Sequence, residues 1–266
     1  MNAVIQKTKN FFNLSDPEYV QFLKQHEAKD RKSIAFYLLL GLLPGVGMYF
    51  LVYHFRETFM AWTGLSAHYT QFVLLALAAA GWHTLFPFFM LKFVDKLTFK
   101  ESLRYLGFTR LDLKGLLTVV PIIIALFTLL SLPYMKYVFP PINAWLDAIP
   151  WLHMGEWHIF YLGYYDFPWY LLVIGVFGNF VGEEIYFRGY LLRKVGSLKY
   201  DWLVVSFLFQ VYHMWQAPMN WAFILLSIII PHEILVKLRK NIYGAIVYHL
   251  FANTIWGAIT LYLVGV

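Results

Sequence analysis

Cysteine is absent from all 266 residues. A disulfide scaffold, a Cys-ligated zinc or iron–sulfur centre and thiol catalysis are thereby excluded. Charge is scarce: Asp, Glu, Lys and Arg make up 14% of residues, against about 25% in a soluble domain. Two hydrolytic signatures are also missing. The His-Glu pairs, His26-Glu27 and His232-Glu233, have no His three positions on, so there is no HExxH zinc motif, and Gly196-Ser197 is not followed by Gly as a serine-nucleophile turn requires. No internal repeat or low-complexity tract is visible.

What is present is apolar. Hydrophobic residues make up 60% of the chain, aromatic ones 20%, and the mean hydropathy is +0.59. Several runs exceed the roughly 20 residues of helix that cross a hydrocarbon core about 30 Å thick. The expected class is all-α, a polytopic membrane bundle. Spans are expected near 34–54, 70–94, 115–138, 168–192, 202–217, 219–236 and 242–264, the fifth and sixth divided at Pro218. Three regions follow: a polar N-terminal segment over 1–33, the first helices with an aromatic outer loop over 34–167, and a C-terminal core over 168–266 that carries polar positions within its spans. Ser15-Asp16-Pro17-Glu18 reads as a capping box opening a short helix in the first region.

The basic residues test this layout independently. Of 21 Lys and Arg, eighteen fall in the N-terminal segment or in the connections after spans two, four and six. The positive-inside rule makes that side, and the N-terminus, cytoplasmic. The basic excess thus reports orientation, and no nucleic-acid partner is expected. The stretch 96–114, with Leu97, Leu103, Leu106 and Phe108 among its charges, reads as an amphipathic helix on the lipid surface. The outer connection 139–167 has no Lys or Arg but carries Trp145, Trp151, Trp157, Tyr161, Tyr164 and Tyr165. It reads either as an interfacial aromatic belt or as a lid over substrate.

Span four contains Asn179, Glu183, Glu184 and Arg188. A central ionised group costs about 2.5–3.5 kcal/mol on insertion scales, so unpaired charges here call for a function. Glu184 and Arg188 are i,i+4 neighbours, which makes Glu184 the expected salt-bridge partner and Glu183 the freer carboxylate, with Asn179 one turn before it. Span five carries Phe209 and His213; span seven carries His249 and Asn253. At about 1.5 Å per residue from the cytoplasmic ends, Glu183, His213, His249 and Asn253 lie roughly 12–18 Å deep, at one level near the midplane. A carboxylate and an imidazole can polarise a water between them, and an imidazole N–H and an amide can donate to the oxyanion formed when that water adds to a peptide carbonyl. The set suits amide hydrolysis. His232 and Glu233 are read as solvated or capping groups at the cytoplasmic end of span six, and His54, His68, His83, His153 and His158 are given no role.

Glu183-Glu184-x-x-x-Arg188 with Phe187-Arg188-Gly189, Phe209-x-x-x-His213 and His249-x-x-x-Asn253, in this order on separate spans, resemble the three motifs of the CAAX protease and bacteriocin-processing family (CPBP, or Abi). The likeness covers about residues 168–264 and the organisation resembles bacterial members, implying a multi-pass protein of a bacterial cell membrane. By this resemblance Glu183 is the catalytic glutamate, His213 its partner in water activation, and His249 and Asn253 the oxyanion-stabilising pair. Glu184 and Arg188, with Asn179 and Phe209, are supporting. The family implies an intramembrane endopeptidase without bound metal, acting on membrane-embedded or lipid-linked peptides or proteins; the alternative is zinc held by Glu183, His213 and His249. Two other classes stay open: a non-catalytic membrane partner such as a bacteriocin-immunity or scaffolding protein, and a proton-coupled transporter. Oligomeric state is not readable.

Overall fold

The structure is a computed structural model that describes residues 2–27, 30, 32–149, 168–213, 230–256, 258–259 and 262. Among them every regular element is a helix. In chain order the principal ones are α1 (Asn2–Phe12), α2 (Pro17–Glu27), α3 (Ile34–Phe50), α4 (Tyr69–Val94), α5 (Phe99–Tyr105), α6 (Gly115–Val138), α7 (Trp169–Lys194), α8 (Asp201–Tyr212), α9 (Ile230–Arg239) and α10 (Tyr243–Phe251). The fold is an all-α membrane helical bundle. By length and composition α4, α6 and α7 can each cross a bilayer, while α3 and α8 are shorter apolar helices. Their outward faces agree: Leu85 on α4, Leu117 and Leu129 on α6 and Val173 on α7 are all exposed. In water such surface would be a liability; facing hydrocarbon it carries no penalty. The expected division at Pro218 lies outside the described residues, as do Trp151, Trp157, Tyr161, Tyr164 and Tyr165 of the aromatic loop. Trp145 is exposed on the helix Phe139–Asp147 that follows α6.

Two expectations about local structure need correction. The N-cap of α2 is Asp16, whose Oδ1 accepts the Tyr19 N–H at 2.9 Å, and not Ser15. Pro17 explains the shift. With no N–H and a fixed φ it suits the first helical position, which moves the cap to the residue before it. In the 96–114 stretch only Phe99–Tyr105 is α-helical, started by a capping box between Thr98 and Glu101. Its apolar neighbours face protein: Leu97 and Leu106 are buried in the main core, and the Leu106 carbonyl lies where a Cβ on Gly189 would meet it at 2.9 Å.

Two polar knots draw the basic connections to one end of the bundle. Lys194 Nζ reaches Asp30 Oδ2 at 2.7 Å and Asp95 Oδ2 at 2.8 Å, beneath the rings of Tyr37, Tyr105 and Tyr190. Burial by itself would raise the Asp30 carboxyl; hydrogen bonds from Lys194 and Tyr37 outweigh it and hold Asp30 below the usual carboxylate range. In the second knot Arg239 Nε meets Asp112 Oδ2 at 2.6 Å, and its Nη1 donates to the carbonyls of Phe11 and Phe12. The N-terminal segment, the connection after α4 and the C-terminal ends of α7 and α9 therefore meet at one end.

Glycine lets the motif helix approach its neighbour. A Cβ on Gly178 would lie 2.7 Å from Ala79 Cβ, and one on Gly182 would lie 3.0 Å from the Ala79 carbonyl oxygen, so α7 packs against α4 backbone to backbone. Around Glu183 α7 winds as π-helix over Gly178–Gly182 and Glu184–Leu191. Such widened turns are infrequent and cluster at functional sites.

Candidate active site

The motif residues of α7, α8 and α10 come together inside this bundle. Glu183, Glu184, Arg188, His213 and His249 are all buried, Glu184 and Arg188 completely. Arg188 Nη1 lies 3.1 Å from Glu184 Oε1, the pair expected from their spacing. The same guanidinium meets a second acid, with Nε 2.8 Å from Glu233 Oε1. Its flat face covers the Phe209 ring at 4.0 Å, and the other neighbours of that ring include His213 and Phe187. Phe209 thus lies in contact with both the Arg188 guanidinium and the His213 ring.

His232 and Glu233 are not solvated. Both have zero exposure, and His232 Nε2 stands 3.7 Å from Glu184 Oε1. The turn of α9 points them into the bundle, where Arg188 needs a second carboxylate and Glu184 already serves several donors. The cost argument that singled out span four applies equally here; counting from the end of the span hid it.

Glu183 stands apart from this cluster. Its Oε1 accepts the Tyr212 hydroxyl at 3.2 Å and the Asn179 amide at 3.4 Å. Its Oε2 is buried without a hydrogen-bond partner among the described residues and faces His249 Nε2 at 3.9 Å. That gap is too long for a hydrogen bond. Tyr212 was missed in the sequence because only the i,i+4 partners of its motif were read. Its other face meets the ring of His83, a wholly buried imidazole on α4, at 4.8 Å.

The two motif histidines are oriented differently. His213 Nδ1 lies 2.8 Å from the Phe209 carbonyl, which can only accept, so Nδ1 carries the proton. A neutral His213 then keeps a lone pair on Nε2. His249 Nδ1 lies 2.9 Å from Glu184 Oε1. Asn253 is exposed on the widened turn Ala252–Trp256, and its amide donates to Asn179 Oδ1 at 2.8 Å. Asn179 therefore links α10 to Glu183.

Three ligand atoms, from Glu184, His232 and His249, lie within 4.8 Å of one another. This group differs from the Glu183, His213 and His249 set. It is a poor cation site, because the Glu184 carboxylate is already bonded to Arg188, and a divalent ion would sit against a guanidinium.

Residues 165–255 match a family model described as Type II CAAX prenyl endopeptidase Rce1-like. The matched segment is about a third of the chain. It contains α7 through α10 and every motif residue, from Asn179 to Asn253. The likeness supports a CAAX-type membrane protease. No curated protein and no solved structure matches the chain.

Proposed function

We propose that the protein hydrolyses a peptide bond in membrane-associated or lipid-linked substrates, using a water activated by Glu183 and His213. The observation that carries this reading is the split environment of Glu183: one oxygen held by Tyr212 and Asn179, the other buried, unpartnered and facing His249. A carboxylate so held is positioned yet keeps a free basic oxygen. Its Oε2 takes a proton from water while the water oxygen adds to the scissile carbonyl carbon. His213, with a lone pair on Nε2, is the second acceptor for that water.

The carbonyl oxygen becomes an oxyanion, and His249 Nε2 and Asn253 supply the donors. Asn253 has a second N–H besides the one given to Asn179. For His249 to donate through Nε2 while Nδ1–H faces Glu184, its ring carries both protons at that step, with Glu184 as counter-charge. Glu184 is in turn held by Arg188, which also pairs with Glu233, and has His232 nearby, so the ion cluster acts as a positioning unit for the oxyanion donor. Collapse of the tetrahedral intermediate breaks the C–N bond, and the proton taken by Glu183 passes to the departing amine nitrogen. No step requires a metal.

Membrane peptides compared between cells carrying the native protein and Glu183→Gln test the reading. Substrates should accumulate uncut in the variant, with equal amounts of folded protein in both. Identical peptide profiles would overturn it, and rescue of a deletion phenotype by a Glu183→Gln/His213→Ala double variant would instead favour a binding role.

A further inference from the structure

Where α2 crosses the C-terminal ends of α7 and α9 and the start of α8, the protein forms an open pocket of about 160 Å³. Lys24, Arg193, Lys237 and Lys240 line it, with Glu27 and Asp201 as the acids. Four cations against two acids leave an excess of two positive charges. Asp201 is already engaged, Oδ2 by Lys237 Nζ and Oδ1 by the Trp202 backbone N–H at 2.8 Å. Lys24, Arg193 and Lys240 are left with Glu27 as the remaining acid.

Two further observations mark this as a crowded cationic site. Arg193 Nε donates to the Tyr19 hydroxyl at 3.1 Å, while its Nη2 is buried without a hydrogen-bond partner among the described residues. Lys240 ends α9 in the left-handed region, at φ 58°, with its N–H bonded to the Val236 carbonyl at 2.9 Å. Glycine makes this turn without strain. A lysine there carries the strain and brings an ammonium to the pocket; one of its protons is used by the Lys237 carbonyl. Burial, then the charges of Lys237 and Arg193, push the Lys240 ammonium below the ordinary lysine range. An anion between these groups would relieve their mutual repulsion.

We propose that this pocket binds a phosphate group, and that the phosphate is the headgroup of an anionic phospholipid. Its position at the basic end of the spans is headgroup depth. Leu23, Leu192 and Val236 in its wall add apolar surface of the kind a lipid presents beside its phosphate. Inorganic phosphate shares the chemistry and is the competing source.

Native mass spectrometry of the full chain released from nanodiscs tests this without reference to proteolysis. Phosphatidylglycerol, phosphatidylcholine and inorganic phosphate are offered in turn to the native protein, to Lys24→Ala/Lys240→Gly, and to Lys7→Ala/Lys100→Ala as an equal loss of charge elsewhere. Lys240→Gly relieves the turn, so the site variant should fold, which its melting temperature checks. Retention of phosphatidylglycerol should fall about tenfold or more in the site variant only, with phosphatidylcholine weakly held throughout. Equal retention in the two double variants, or no preference over phosphatidylcholine, would overturn the proposal. Saturation by inorganic phosphate with no retained phosphatidylglycerol would overturn the lipid assignment.

Discussion

Arg188 and Glu233 sit on different helices and form an ion pair wholly shut off from solvent, Nε to Oε1 at 2.8 Å. Because Glu184 holds the same guanidinium at 3.1 Å, one cation is shared by two acids, from α7 and α9. Removing it leaves Glu233 buried without its cation and Glu184 with only the imidazoles of His249 and His232. Arg188→Ala should cost about 3–5 kcal/mol and lower the folded yield sharply, while Glu233→Gln, which keeps a polar group beside Arg188, should cost less. Size-exclusion profiles and thermal melts in detergent check the order; a native-like melt for Arg188→Ala would refute the clamp.

Glu183→Gln conserves volume and removes the proposed base. The rate should drop by about 10²–10⁴-fold with the fold unchanged. Tyr212→Phe removes one hydrogen bond to Glu183 Oε1 and should cost far less, about tenfold in kcat with KM little altered. Steady-state assays on a membrane peptide separate the two, and a larger loss for Tyr212→Phe would point to a direct role for the hydroxyl.

Asn179 joins Asn253 to Glu183. If it holds the oxyanion donor and the base in register, Asn179→Ala should lower kcat by about tenfold or more, and adding Asn253→Ala should bring less than the multiplied loss. A fully multiplicative double variant would mean that the two residues act separately.

Asp112 governs an acid-sensitive contact. Burial raises its carboxyl, but Arg239 and the Gly115 N–H outweigh this and hold it below the usual range. A depressed folded-state value contributes stability above the unfolded value near pH 3.9, and that stability is lost as pH falls through the lower folded value. Asp112→Asn should therefore destabilise the protein at neutral pH by about 2 kcal/mol and flatten its decline below about pH 4. Melts between pH 3 and 7 would show parallel curves if the contact carried no weight.

A water activated by Glu183 and His213 needs no metal, so chelator should leave the rate unchanged and purified protein should hold no stoichiometric zinc. Loss of activity restored by zinc would overturn the metal-free reading.

The helical membrane class was legible because the solvent dictates it: a chain this apolar must satisfy its backbone within helices. The clustering of polar motif positions on α7, α8 and α10 was legible too, since charge in hydrocarbon is costly enough to stand out, and helical spacing pairs Glu184 with Arg188. Partners that come from elsewhere in the chain were not legible. Tyr212 on Glu183, Glu233 on Arg188, His232 beside Glu184 and Asn179 under Asn253 depend on how far each helix is rotated about its own axis. That rotation is set by packing, such as the close contact of Gly178 and Gly182 with α4, and a one-residue turn of about 100° would aim any of these groups into lipid instead. Composition and spacing determined which residues had to be buried together; tertiary packing decided which of them touch.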